Sequence, residues 1–334
     1  MTSSYELALA RSRGYDFLSH LWLHGVTPDV AEIVALVPEL SAALGAAPVD
    51  LDQLAAAHQQ ILGFDVFPFQ SIFLDPSGLL GGAETDRVLN SYLAAGFAFA
   101  TADTAGDHVG HQLAFLSFLA GAEADAWEDG VAATAQRIQG VQAAFLGQHL
   151  LRWIAPLVLA VKQQAHPLFT ALADLTLAQA ADHTQDLAAA VAVDLLAPDA
   201  IFALPGPPDL LADEKTSLKD IGELLLRPVH SGLYLSRDDL ARLGRSLDLP
   251  RGFGDRGQML TNLMRAAVTY DLWETLIREV RGLAEAWRGA YSCMGVESAA
   301  LAEFVSPWIG QLDHTLVMLD SLARQKLADP KPPA

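Results

Sequence analysis

Apolar side chains recur every three or four residues along almost the whole 334-residue chain, and no stretch alternates apolar with polar. That spacing puts the apolar groups on one stripe of a helix, whereas a half-buried strand needs period two. Alanine-rich runs reinforce the pattern, so the expected fold class is all-α, a helical bundle with short connections. The spacing of Tyr15, Leu18, Leu21 and Trp22 predicts a helix over 5–24. Thr27-Pro28 predicts the cap and first turn of a second helix, ending near Pro38 or Gly45. A third runs from Val49-Asp50-Leu51 to about Leu62, and further helices are expected over 84–100, Thr104–Ala122, Trp127–Ala155 and Asp174–Leu196. The long one bends at Gly140 or Gly147, and Pro156 starts or kinks the next helix. Between Phe64 and Asp75 the aromatic residues have no helical period, and Pro68, Pro76, Gly78 and Gly81-Gly82 predict an ordered apolar loop.

Ala203-Leu204-Pro205-Gly206-Pro207-Pro208 cannot continue a helix and is the clearest break in the chain. It divides the sequence into a helical domain over 1–204, a proline-rich linker over 205–216 and a helical C-terminal region over 217–327. In that last region Ser217–Leu226, Ser236–Leu247, Arg256–Tyr270, Leu272–Ala290 and Val296–Leu327 carry helical periods. The stripe of Leu301, Phe304, Trp308, Leu312, Leu316 and Leu319 on the final helix must be covered, most simply by the N-terminal bundle.

Charge follows the same division. Residues 1–210 hold 6 Lys and Arg against 23 Asp and Glu, a net −17, while residues 211–334 hold 15 against 17, a net −2. The total of −19 repels a phosphate backbone and an anionic membrane surface, so the expectation is no nucleic-acid partner. A basic peptide is the complementary partner. Cys293 is the single cysteine, which excludes an intrachain disulfide. The start of the chain lacks the basic and apolar runs of a secretion signal, and the apolar stretch Trp153–Val161 is short for a membrane span. A cytoplasmic protein without membrane insertion is therefore expected.

No glycine-rich phosphate loop, His-Glu-x-x-His or Glu-x-x-His motif is present, so neither a cofactor nor catalytic residues are expected. Asp107, His108 and His111 cluster at the start of one expected helix. Their structural reading is a capping box in which Thr104 caps the helix and the Asp107 carboxylate reaches back to its amide. Their chemical reading is a metal-ligand set of two histidines and a carboxylate. His149 and Trp153 lie on a strongly apolar helix and read as core.

The run Asp107-His108-Val109-Gly110-His111-Gln112-Leu113 through Leu119 resembles the Asp-His segment of the TorD/DmsD/NarJ family of redox enzyme maturation chaperones. Three more segments agree in order. Phe67-Pro68-Phe69-Gln70-Ser71-Ile72-Phe73-Leu74 is similar to the family's proline-containing loop, Tyr92 through Phe97 to its Tyr-x-x-x-Gly-Phe helix, and Phe145 through Trp153 to its Phe, His-Leu-x-x-Trp helix. The resemblance covers about residues 10–200, with Gln112 standing where the family commonly has glutamate, and the C-terminal region is an extension of the long form. It implies a TorD-like bundle that binds the twin-arginine signal or N-terminus of a molybdenum-dependent oxidoreductase subunit and holds it until it is folded. The implied peptide site comprises Asp107 as partner of an arginine, His108 as groove or hinge residue, His111, and Phe67, Phe73 and Tyr92 as apolar walls. A homodimer is compatible with a helical bundle of this kind.

Two other function classes stay open on the sequence. Ser236–Leu247 and Arg256–Tyr270 have the lengths of a helix-turn-helix, with Arg237, Arg242, Arg245, Arg251, Arg256 and Arg265 as phosphate contacts. The His108, His111 and Asp107 set leaves room for a helical metalloenzyme.

Overall fold

A computed structural model describes residues 3–45, 49–98, 104–190, 202–210, 216–250 and 254–324. The described residues form helices, joined by one isolated bridge between Phe69 and His108. The N-terminal series is α1 (Ser4–His24), α2 (Ala31–Leu36), α3 (Pro38–Leu44), α4 (Leu51–His58), α5 (Gln70–Leu74), α6 (Ala83–Ala94), α7 (Val109–Glu128), α8 (Ala132–Phe145), α9 (Leu151–Lys162) and α10 (Pro167–Ala190). Two π-helical turns, Gln59–Asp65 and Leu146–Leu150, extend α4 and join α8 to α9. The C-terminal series is α11 (Leu218–Leu226), α12 (Pro228–Ser231), α13 (Arg237–Ser246), α14 (Arg256–Thr269), α15 (Trp273–Glu297) and α16 (Ala299–Arg324).

Local chemistry explains several of the helix starts. Ser3, Ser217 and Ser236 each close a capping box with Glu6, Asp220 and Asp239 respectively, satisfying amides that the helices leave open. Three expectations shift. The helix expected over 84–100 stops at Ala94, where Gly96 takes φ +72° and Phe97 N–H bonds back to the Tyr92 carbonyl; residues 99–103 lie outside the described residues. The long helix expected from Trp127 breaks at once, because Gly130 turns the chain at φ +71° and α8 starts afresh at Ala132. Its second irregularity, the π turn at Leu146–Leu150, contains Gly147. The helix expected from Asp174 begins earlier, at Pro167, and its expected end at Leu196 lies outside the described residues.

The bundle is organised around α7 and α9. Helix α1 lies along α7, and α9 is buried on nearly every side, from Leu151 to Val161 with the half-buried Arg152 as the exception. The stretch Ala132–Lys162 is long and apolar enough to cross a membrane, and 78% of its apolar window is buried inside the protein. Its apolarity is accounted for by its place at the centre of the bundle.

Pro156 sits inside α9. It has no N–H to give the carbonyl four residues back, that of Arg152. That carbonyl accepts instead from the Trp308 indole Nε1 at 2.9 Å, and Trp308, on α16, is fully buried. The apolar stripe of α16 is covered as its pattern requires: Leu301, Phe304, Trp308, Leu312 and Leu319 are buried and Leu316 is half-buried. Helix α16 packs on α15, α12, α10 and α9, so one continuous apolar core runs from Tyr15 to Leu322. The described part of the proline-rich segment is pinned as well, by Gln311 donating from Nε2 to the Pro205 and Val229 carbonyls, both at 2.7 Å.

Trp308→Phe keeps an aromatic ring but leaves the Arg152 carbonyl without its donor, and should lower unfolding free energy by about 1–3 kcal/mol. Trp308→Ala should cost about 3–5 kcal/mol. Urea melts of the two variants check both values, and equal stability of Trp308→Phe and the parent would show that the indole bond contributes nothing. A chain cut within Pro205–Pro208 exposes the α9 and α10 faces that α16 covers, so residues 1–204 alone should melt well below the full chain.

Candidate functional site

The residues singled out by sequence converge at the start of α7. Helix α5 is too short to stabilise itself, and its capping residue Phe69 offers no side-chain acceptor. Its open amides are satisfied from α7 instead. Gln70 N–H donates to the Asp107 carbonyl at 3.1 Å and Ser71 N–H to Asp107 Oδ2 at 2.8 Å, while Val109 N–H returns a bond to the Pro68 carbonyl at 2.9 Å. The segment expected as an aromatic loop over 64–75 is thus partly helical. The reason is a cap supplied by a residue far along the chain.

The capping box expected from Thr104 is corrected by this geometry. Helix α7 starts at Val109, and its cap is His108, whose Nδ1 accepts from Gly110 N–H at 3.0 Å. Asp107 faces across to α5. Its side chain is fully buried, and its Oδ1 accepts no hydrogen bond among the described residues.

Around this joint lies a buried polar node. Gln70 Nε2 donates to Glu84 Oε2 at 2.9 Å and lies 3.4 Å from His149 Nδ1. The other ring nitrogen of His149 is 3.0 Å from Ser91 Oγ. Gln112 Nε2 donates to Gln70 Oε1 at 3.1 Å and to the Asp107 carbonyl at 3.2 Å, and Gln112 Oε1 accepts from Trp153 Nε1 at 3.4 Å. A glutamate at 112 has no N–H to give, so the amide suits a node that already holds the carboxylates of Asp107 and Glu84. Sequence reasoning singled out Asp107 but missed Gln70, Ser71 and Glu84. Only the departure at Gln112 gave a hint of them.

The six residues expected to line a peptide site are close together but mostly inside. Phe73 is fully buried, as is the Asp107 carboxylate, and Tyr92 is 1% exposed and donates to the Gly106 carbonyl at 3.0 Å. His108 and His111 are buried, and their rings lie 6.0 Å apart. Phe67 is half-buried. In this arrangement Asp107 presents no exposed carboxylate.

The aromatic segment is covered by the C-terminal region. Tyr234 stacks on Phe73 at 5.3 Å, donates to the Asp65 carbonyl at 3.0 Å and accepts from Phe67 N–H at 3.3 Å. The Arg256 guanidinium lies over the rings of Tyr234 at 4.6 Å and Phe67 at 5.9 Å. Arg256 is therefore committed inside the protein. Arg242 pairs with Asp238 and Asp239, and Arg245 reaches Asp238 at 3.5 Å. Arg251 lies outside the described residues. Three of the six arginines of the helix-turn-helix reading thus have partners of this chain. Among the described residues no group of three or more His, Cys, Asp and Glu is arranged to hold a metal ion.

Burial dominates the histidine chemistry. It pushes His108 down to about 3, helped by His111, His58 and His24, and His149 down to about 4, helped by Arg152 and Arg87. His183, bonded through Nδ1 to the Tyr15 hydroxyl at 3.0 Å, falls to about 3 for the same reason, with Arg11 adding to it. The folded state holds these rings neutral while the unfolded chain takes up protons near the ordinary value, so stability is greatest above that value and is lost as pH falls. Between pH 6.5 and 5.5 the three together should remove about 3 kcal/mol, about 1 kcal/mol each. Urea midpoints across that range measure this, and a flat profile would mean that the rings are not held neutral. Gln112→Glu should cost about 2–4 kcal/mol, since it deletes two donors and buries a third carboxylate, and it should lose less at pH 5 than at pH 8. Thermal melts at the two pH values check the sign.

The comparisons with known proteins place this node in context. No curated protein matches the chain. The family model described as the nitrate reductase delta subunit matches residues 28–158, a span that contains the α5 to α7 joint, the π turn at Leu146–Leu150 and Pro156. By that match residues 28–158 are similar to the nitrate reductase delta subunit family, the NarJ/TorD-type chaperones of molybdoenzyme maturation.

Proposed function

We propose that the protein is a cytoplasmic chaperone that binds the twin-arginine signal or N-terminus of a molybdenum-dependent oxidoreductase subunit and guards that subunit during maturation. The match over residues 28–158 carries the chaperone part of this reading. The peptide part is supported by charge and by the Asp107 node. Residues 1–210 carry −17, which attracts a segment with paired arginines. Asp107 keeps one carboxylate oxygen without a hydrogen-bond partner among the described residues, while its other oxygen caps α5.

In this reading the α5 segment is the mobile wall. Asp107 and His108 form its hinge, and Phe67, Phe73, Tyr92 and His111 are the surfaces a client peptide meets once the wall lifts. An arginine entering there gives Asp107 Oδ1 a charge-assisted donor. The opening separates Tyr234 from Phe73, so moderate affinity is expected from a peptide that must also lose its own freedom. No catalytic step is assigned to the chain.

Calorimetry with a peptide carrying two arginines and an apolar stretch, and with a twin-lysine control, tests the proposal. The arginine peptide should bind more tightly, because a guanidinium meets a carboxylate with two parallel bonds and an ammonium does not. Asp107→Asn should weaken that binding by about 1–3 kcal/mol. Absence of heat for both peptides at protein concentrations well above micromolar would overturn the peptide part.

A further inference from the structure

Away from the Asp107 node, the two halves of the chain enclose a groove of about 870 Å³ between α10 and the turn that joins α15 to α16. The α8 to α9 junction forms its base. Its floor is apolar and comes from both halves: Leu146, Leu151 and Ala181 from the N-terminal bundle, Met294, Leu301 and Phe304 from the C-terminal region. Val296, on its lip, is 87% exposed and extends the apolar surface of the floor.

The rim is acidic. Asp174, Asp182, Glu297 and Glu303 line it, all exposed, and among the described residues no Lys or Arg does. Asp174 is held by Lys162 at 2.7 Å. Asp182, Glu297 and Glu303 make no ion pair among the described residues. Residues 191–201, which come after α10, contain no Lys or Arg either.

The combination selects its occupant. An acidic or nucleic-acid partner is repelled by the rim, and a neutral apolar one leaves the carboxylates without partners. A second copy of the chain, at −19, brings more negative charge. A segment with at least two Arg or Lys residues beside a short apolar run satisfies floor and rim together. We propose that this groove docks such a cationic, partly apolar segment of the client polypeptide. Its basic side chains lie on Asp182, Glu297 and Glu303, and its apolar ones on the floor between Leu146 and Phe304. The proposal takes its client from the proposed function and adds that the C-terminal region builds half of the dock.

Cys293 provides a local probe, since it is exposed, is the single cysteine and adjoins Met294 of the floor. A polarity-sensitive fluorophore on Cys293 of the full chain is titrated with a synthetic peptide of separated lysines and arginines flanking a Leu/Ala-rich run, without the paired arginines assigned to Asp107, with calorimetry on unlabelled protein in parallel. Two variants close the groove at exposed positions, Asp182→Lys with Glu303→Lys by charge and Ala178→Trp by volume. Glu32→Lys with Glu39→Lys, on α2 and α3, changes the net charge equally and is the control. The fluorophore should respond in the parent, each groove variant should weaken binding about tenfold or more, and the control should change it far less. Calorimetric binding that is unchanged in both groove variants, with a silent fluorophore, overturns the dock and leaves the proposed function standing. Absence of any calorimetric binding of this peptide likewise overturns the dock, while the paired-arginine peptide tests the proposed function separately.

Discussion

A proline in the central helix decides how the two halves of this chain meet. Pro156 cannot donate to the Arg152 carbonyl, and a buried carbonyl without a donor is costly. The Trp308 indole supplies the donor from α16, and the large apolar body of the same side chain fills the space beside α9. One residue thus satisfies a polar requirement and an apolar one. Around that point the α16 stripe, the pinned Pro205 carbonyl and the α15 to α16 pair are arranged. The C-terminal region is bound into the core of the bundle, and it brings Tyr234 and Arg256 onto the aromatic segment beside α5.

The Asp107 node works by the same logic on a smaller scale. Helix α5 has too few residues to close its own hydrogen bonds, so it borrows a cap from the start of α7. Buried amides and carboxylates then have to be arranged so that every donor faces an acceptor, and Gln112 is the residue that does both. Such a network is stable only when complete. It joins α5, α6, α7 and the π turn before α9, and a disturbance at one member is felt by all. Among the described residues Asp107 Oδ1 accepts no hydrogen bond, an exception within the node.

The acidic character of the chain acts outside this interior. The buried node fixes geometry, whereas the exposed carboxylates set which partners approach, over distances limited by screening to about 10 Å at ordinary salt. Residues 28–158 of this acidic chain match the model of a family of molybdoenzyme maturation chaperones. The C-terminal region lies beyond that match, yet it covers part of the matched bundle and lines one side of the α10 groove.

Local sequence determined the all-helical class, the break at Ala203–Pro208 and the helix starts at Ser217 and Ser236, because each depends on residues within a few positions of one another. The apolar stripe of α16 was also legible, since helical spacing alone demands a cover. The run Asp107-His108 and the segments around Phe67, Tyr92 and Phe145 pointed to the family. What tertiary structure alone decided is the role of each of those residues. Asp107 was readable as a cap, but whether for its own helix or for α5 depends on which amides lie opposite it in space. Gln112 was readable as a departure, but its double role appears only when Gln70 and Trp153 are brought to its two ends. Pro156 was readable as a kink or a start, and the fold keeps it inside a helix because an indole more than a hundred residues away takes over the bond that proline cannot make.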